Sequence, residues 1–224
     1  MLCEITNWFI EATPEIYKKA QADERFPFIV ALGRAVNALN FVRSLAKLRS
    51  LDDNSPAAKR DRMNSYLFGS AIMYEILKLI RKMNQFFAND TVFQGGLRLM
   101  LKDKDAKKIE KNHLDEARNR AIFHFDPIRF KEAIGKHEKA EKFCSGHGTT
   151  KGEVHFSYAD VLTMEILMGR YVSVEEGLDD FVSVVRATDE LTVRFVENAE
   201  DLIRSTLGNL GFELYIDKAD NPRP

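Results

Sequence analysis

Apolar residues recur every three or four positions along several long stretches of this 224-residue chain. This spacing constrains the fold more than any other feature, because it places the apolar residues on one side of an α-helix. In the first stretch the recurring residues are Ile29, Leu32, Val36, Leu39, Val42 and Leu45. Helices of this kind bury one face against each other, so the pattern predicts an all-α bundle.

Capping signals and further periodic stretches extend the helical prediction along the chain. Ser55 and Pro56 predict the N-cap and first position of a second long helix. Thr91, with Gln94 three residues later, predicts a capping box that opens a short helix. A last amphipathic helix is predicted from Val174 onwards. The apolar faces of the second and last helices comprise Met63, Leu67, Ala71, Tyr74, Leu77 and Ile80, and Phe181, Val184, Thr188, Leu191, Phe195 and Leu202.

A fourth helix is predicted over residues 105–125. Asp126 and Pro127 end it, because the residue before a proline avoids the helical region. A fifth helix begins at Pro127 and continues to about Lys142. Residues 153–156 and 212–216 predict two short strands that could pair with each other as one small β-hairpin. The sequence therefore predicts four to five helices in a bundle, followed by a helical C-terminal extension.

The charge of the chain reverses near residue 145. Residues 1–142 contain 26 lysines and arginines against 19 acidic residues, whereas residues 143–224 contain 7 against 15. We therefore divide the chain into an N-terminal segment (1–25), a helical bundle (26–142) and a C-terminal extension (143–224). Two interpretations of the reversal are open: the basic part faces a polyanion, or the two parts attract each other.

Cysteine usage and the absence of targeting signals predict a cytoplasmic protein. Cys3 and Cys144 are too few for a disulfide framework and indicate reduced thiols. Cys144 and His147 lack a second closely spaced pair of ligands, so we predict neither a metal site nor a cofactor. The sequence shows no secretory leader and no apolar stretch of the length that crosses a bilayer, so we expect no membrane association.

The end of the fourth helix contains the residues best suited to chemistry. Arg118 offers a fixed fork of donors for a phosphate, and His124 can move protons near neutral pH. A helical projection places Arg118 on the apolar face, between Leu114 and Ile122. A charge on a buried face needs a partner. That partner is either a carboxylate, from the same bundle or a second subunit, or a phosphate of a nucleic acid.

Arg118, Asn119 and His124 resemble the arginine–histidine signature of the HEPN superfamily (higher eukaryotes and prokaryotes nucleotide-binding domains). In that family a polar residue typically follows the arginine, and the motif lies late in a helical bundle. The resemblance covers residues 26–142, about half of the chain. The ending Phe123-His124-Phe125-Asp126 is like those of helical bacterial members that resemble the abortive-infection type.

The resemblance implies a metal-independent endoribonuclease of toxin or phage-defence type, acting as a homodimer on RNA. His124 would be the general base on a ribose 2′-hydroxyl, Arg118 would stabilise the phosphate, and Asn119 would orient one of them. Arg120 and the exposed lysines Lys108 and Lys111 would extend the RNA-binding surface. An antitoxin or another protein partner would accompany such a protein.

Two other classes of function stay open. The chain could be a non-catalytic helical module that binds RNA or a protein partner, or a structural dimer in which Arg118 forms an interface salt bridge. Six residues separate Arg118 from His124, a rise of about 9 Å along one helix. Both residues therefore reach one phosphate only if the helix end loosens or a second subunit brings its own copy of the motif alongside.

Overall fold

The computed structural model describes residues 7–47, 56–115, 118, 127–134, 145–146, 154–155, 162–163 and 177–217. They form an all-α helical bundle with short strand pairs beside it, which confirms the predicted fold class. The helices are α1 (Pro14–Gln21), α2 (Phe26–Lys47), α3 (Pro56–Met83), α4 (Thr91–Gly95), α5 (Leu97–Lys102), α6 (Lys104–Ile109), α7 (Pro127–Ile134) and α8 (Gly177–Asn209), with a π-helical turn at Glu110–Leu114. The strands are β1 (Asn7–Glu11), β2 (Ser145–Gly146), β3 (Val154–His155) and β4 (Glu213–Asp217).

One hydrophobic core joins the long helices α2, α3 and α8, and the short helices α4 to α6 pack against it. The predicted apolar stripes supply most of this core. Its members from the long helices include Ile29, Leu32, Val36, Leu39, Leu77, Ile80, Leu191, Phe195, Ala199 and Leu202. The C-terminal helix α8 therefore shares its core with helices from the predicted bundle at residues 26–142.

The short helix predicted to begin at Thr91 ends at Gly95, and a separate helix, α5, begins at Leu97. Asp90, not Thr91, is the N-cap of α4, and its carboxylate accepts a hydrogen bond from the backbone N–H of Phe93 at 2.9 Å. The side-chain amide of Gln94 donates to the carbonyls of Phe87 and Ala88. The predicted capping box was thus wrong by one residue, because an aspartate precedes the threonine and caps equally well.

The predicted helix over residues 105–125 is not a continuous α-helix. After α6, residues Glu110–Leu114 form a π-helical turn, in which the N–H of Asp115 donates to the carbonyl of Glu110, five residues earlier. Such a turn accommodates about one residue more than an α-helical turn. Arg118, the next described position, is therefore rotated by roughly 100° from an ideal helical projection.

Both predicted strands exist, but they do not pair with each other. β4 pairs with the N-terminal strand β1 in antiparallel register, and β3 pairs with β2. Gly211 has φ +93° and ends α8 in a Schellman turn, in which the N–H of Phe212 donates to the carbonyl of Leu207. This turn directs the chain into β4, beside a strand that periodicity did not indicate.

Among the described residues, one helix is long and apolar enough to cross a membrane by length and composition. It is the segment Phe26–Leu45 of α2, with a mean hydropathy of 1.2 over its 18-residue window. The expectation that no stretch reaches this length was therefore wrong. Ile29, Leu32, Val36 and Leu39 of this segment lie in the protein core. The length and composition of this segment fit both a membrane-spanning helix and a helix in the core of a globular protein.

Candidate functional site

The segment that leads to Arg118 is anchored to the core on one side. Asp103 caps α6 by accepting from the backbone N–H groups of Asp105 and Ala106 at 2.8 and 3.3 Å. Ala106 and Ile109 are buried, and Leu114 in the π turn is completely inaccessible. We call residues 104–115 together with Arg118 the Arg118 segment. Its buried face packs against α3, α5 and α8. Arg118, the first residue of the predicted motif, therefore lies at the end of a segment that is packed against the core.

Arg118 forms an ion pair with Glu75 of α3. Its Nε donates to Oε1 of Glu75 at 2.9 Å, and the two side chains are 32 % and 48 % exposed. Glu75 also pairs with Lys78, one turn further along α3. The projection had placed Arg118 on the buried face. The side chain is instead partly exposed, because the π turn at Glu110–Leu114 changes the direction in which position 118 faces.

A second ion pair joins the same two elements with the charges reversed. Arg81 of α3 donates to Glu110, the first residue of the π turn, and the Glu110 side chain is 16 % exposed. Arg118 and Arg81 thus make equivalent contacts between α3 and the Arg118 segment. Only Arg118 belongs to the motif, so Arg81 provides a natural comparison for its role.

Lys108 and Lys111 are exposed on the outer side of the Arg118 segment. His113 lies half-buried in the π turn. Burial lowers the pKa of its imidazole below 6.5, and the charge of Lys108 lowers it further. In the folded chain His113 is therefore neutral at pH 7.

The remaining residues of the predicted site, Asn119, Arg120 and His124, lie outside the described residues. The distance from Arg118 to His124 consequently stays a prediction. Sequence reasoning did not identify Glu75 as the partner of Arg118. The available signal was weak: an acidic residue beside Tyr74 on the border of the apolar face of α3.

Where the structure describes the chain, no group of three or more histidines, cysteines, aspartates or glutamates is placed to hold a metal ion. No family model, curated protein or solved structure matches this chain. The motif and the geometry of the Arg118 segment are thus the features of the chain that bear on its function.

Proposed function

We propose that this chain is a HEPN-like, metal-independent endoribonuclease that acts as a homodimer. Arg118 stabilises the scissile phosphate as charge builds on it, and His124 removes the proton of the ribose 2′-hydroxyl. As the 2′-oxygen bonds to the adjacent phosphorus, the bond from that phosphorus to the 5′-oxygen of the next nucleotide breaks, and this oxygen takes up a proton from water. The products therefore carry a 2′,3′-cyclic phosphate and a 5′-hydroxyl. Asn119 orients the phosphate or the imidazole.

The observation that carries the proposal is the partly exposed pair of Arg118 and Glu75. Both side chains reach solvent. An ion pair of this exposure contributes at most about 1 kcal/mol to stability. A phosphate of RNA can therefore take the place of the Glu75 carboxylate at little cost. Before RNA arrives, Glu75 holds the guanidinium in position.

The Arg118 segment also carries two exposed lysines. Lys108 and Lys111 are exposed on the same segment, one turn apart. Their ammonium groups supply sequence-independent attraction for phosphates, which weakens as salt is added. We assign them to RNA binding together with Arg120, and not to the chemical step.

The decisive experiment incubates the full chain with RNA in EDTA and identifies the product ends. Cleavage that leaves 2′,3′-cyclic phosphate and is reduced at least about a hundredfold in His124→Ala supports the proposal. Arg118→Ala should reduce cleavage by a similar factor. Arg81→Ala removes the equivalent ion pair outside the motif and should retain cleavage.

The ion pair itself favours one alternative, in which Arg118 only ties the Arg118 segment to α3. In that case Arg118→Ala and Arg81→Ala lower the free energy of unfolding by similar small amounts, and RNA is neither bound nor cut. RNA binding without cleavage, weakened in Arg118→Ala, would instead indicate a non-catalytic binding module. Sedimentation of the intact chain measures whether it is a dimer.

A further inference from the structure

Two helices of the bundle form an apolar groove that is open to solvent. The groove lies between α2 and α3 and has a volume of about 860 Å³. Its described lining residues include Arg34, Phe41 and Leu45 of α2, and Asp61, Phe68 and Ile72 of α3. We call the surface formed by these six residues the α2–α3 face.

The centre of the α2–α3 face exposes large apolar side chains to solvent. Phe41 and Phe68 are 63 % and 50 % exposed, and Leu45 beside them is exposed as well. Single exposed apolar residues are common on protein surfaces, but neighbouring ones that line one groove mark a site of association. Aromatic residues are also enriched at the centres of interfaces between proteins. Phe41 and Phe68 thus have the exposure and the residue type of an interface centre.

The helices α2 and α3 are antiparallel, and the two phenylalanines of the face lie at the same level. Gly69 of α3 packs beside Val42 of α2. The ring of Phe28, near the start of α2, lies 4.7 Å from that of Phe86, just beyond the end of α3. The phenylalanines of the face directly precede Val42 and Gly69 in the sequence, so they lie level with each other along the helix pair.

Opposite charges flank these phenylalanines at equal distances along the groove. Arg34 lies seven residues before Phe41 on α2, and Asp61 lies seven residues before Phe68 on α3. Seven residues correspond to about 10 Å along a helix axis. Because the helices are antiparallel, Arg34 and Asp61 lie toward opposite ends of the groove. The α2–α3 face therefore carries a positive end, an aromatic centre and a negative end.

We propose that a second copy of this chain binds to the α2–α3 face and forms a twofold dimer. A twofold axis that runs across both helices at the level of the phenylalanines places Phe41 and Phe68 of both copies at the centre. The same rotation exchanges the two ends of the groove, so Arg34 of each copy lies near Asp61 of the other. The surface is complementary to itself, and each contact across the axis is made twice.

The charges of the α2–α3 face favour a copy of the chain over a membrane as its occupant. A membrane surface attracts clusters of lysine and arginine through its anionic headgroups. The carboxylate of Asp61 would be repelled by those headgroups, whereas it attracts Arg34 of a second copy. The second copy therefore uses both charged ends of the groove, and a lipid surface uses one.

The α2–α3 face ends beside the ion pair of Arg118. Glu75, which holds Arg118, follows Ile72 by three residues and thus lies on the same side of α3. A second copy on this face therefore lies next to the Arg118 segment. The surface is that of the homodimer in the proposed function, and the inference rests on that function for its biological role. Dimerisation itself is measured without RNA.

Sedimentation equilibrium of the full chain tests the apolar centre. Phe68→Glu places charges of the same sign at the centre of the interface and should raise the dissociation constant of the dimer at least about thirtyfold. Leu99→Glu is the matched control, because Leu99 is exposed to nearly the same extent but lies on α5, of which no described residue lines the groove. It should leave the dissociation constant unchanged.

Exchanging the charges tests the symmetry of the dimer. Arg34→Asp and Asp61→Arg each bring like charges together at both contacts, so each variant alone should dissociate at least about tenfold more readily than the parent chain. An equimolar mixture of the two variants should dimerise again, because both contacts across the axis then join opposite charges. This recovery requires that position 34 of one copy faces position 61 of the other.

Three results would overturn the inference: a parent chain that stays monomeric, a dimer that Phe68→Glu weakens no more than Leu99→Glu does, or folded charge variants that do not recover in the mixture. Asp61 also has an interaction within its own chain. If Asp61→Arg does not unfold cooperatively, Phe68→Glu and its control decide.

Cleavage of RNA separates this inference from the proposed function. A dimer that persists in Phe68→Glu contradicts the assigned surface and leaves the ribonuclease unaffected. RNA cleavage that persists in monomeric Phe68→Glu supports the surface and contradicts only the need for a dimer in the proposed function.

Discussion

In the C-terminal half of α3, the guanidinium of Arg118 meets the carboxylate of Glu75 at 2.9 Å on an open surface. Beside its N-terminal half, a hollow of about 420 Å³ between α2, α3 and α8 has mainly apolar walls, and its described lining residues include Arg43, Arg62 and Arg186. The residue type is the same in both regions, but the shape of the surface differs. Arg118 lies on an open surface, whereas these three arginines border a concave apolar space.

The difference shows which kind of ligand each region can hold. A balanced pair on a surface exchanges one anion for another, so it fits an extended polyanion that other contacts hold in place. A concave apolar hollow instead fits a compact ligand that brings its own hydrophobic surface. The amino-acid sequence presents both as arginines on amphipathic helices, and only the packing separates them.

The largest expected effect tests how firmly each region is anchored. Leu114→Ala should lower the free energy of unfolding by about 3 kcal/mol, because Leu114 is completely buried between the π turn and the core. Leu39→Ala should cost less, about 2 kcal/mol, since Leu39 borders the hollow and has packing partners on fewer sides. Urea unfolding at constant pH measures both.

The exposed Leu99 gives the background for this comparison. Its side chain is 49 % exposed, so Leu99→Ala should change stability by less than either buried substitution. Equal losses for Leu114→Ala and Leu99→Ala would show that the Arg118 segment is not part of the cooperative core. The segment could then not hold Arg118 at a fixed position.

The long helices were predictable because one physical pattern specifies them. Leu67, Ala71, Leu77 and Ile80 recur at helical spacing, and all four are buried in α3 as predicted. The same holds for Leu191, Phe195 and Leu202 in α8. The spacing of apolar residues within a helix predicts which face packs against the core, whichever helices it packs against.

The features that periodicity missed depend on contacts between distant residues. The pairing of β1 with β4 joins the two ends of the described chain, and the residues of either strand do not indicate which strand it pairs with. The π turn before Leu114 changes the hydrogen-bond spacing without changing the composition of the helix. Glu75 lies 43 positions before Arg118 in the sequence. The sequence therefore predicted that Arg118 needs an oppositely charged partner, but it did not indicate which residue that partner is.

A smaller effect on stability is expected from replacing a glycine in each of the helices α3 and α2. Gly69→Ala should raise the free energy of unfolding by about 1 kcal/mol, because alanine is the better helix former. A Cβ at position 69 would lie 3.6 Å from Cγ1 of Val42, an ordinary van der Waals contact. Urea unfolding measures the gain.

Gly33→Ala is the matched control in α2. No heavy atom outside its own helix turn lies within 4 Å of a Cβ at this position, so the variant gains helix propensity alone. A larger gain in the free energy of unfolding at position 69 than at position 33 would show that the new methyl group packs against Val42 of α2. A loss of stability at position 69 would contradict the close but unstrained packing of α2 on α3.

The smallest effect is a pH dependence that arises in the Arg118 segment. Burial, and to a lesser extent the charge of Lys108, lowers the pKa of His113 below 6.5. As the pH falls below 6.5, the unfolded chain takes up a proton at this residue before the folded chain does. Stability should therefore decrease with falling pH down to the folded-state pKa, and His113→Gln should reduce that decrease between pH 7.5 and 5.5.

Lys108→Met separates the two causes of this pKa shift. Because burial is the larger cause, the variant should retain most of the pH dependence of the parent chain, as measured by urea unfolding at several pH values. If Lys108→Met removes it as completely as His113→Gln does, charge and not packing governs the imidazole. His113 would then belong to the charged surface of the Arg118 segment and not to its packed side. In that case the segment would not combine an open, charged surface at Arg118 with a packed side beneath it.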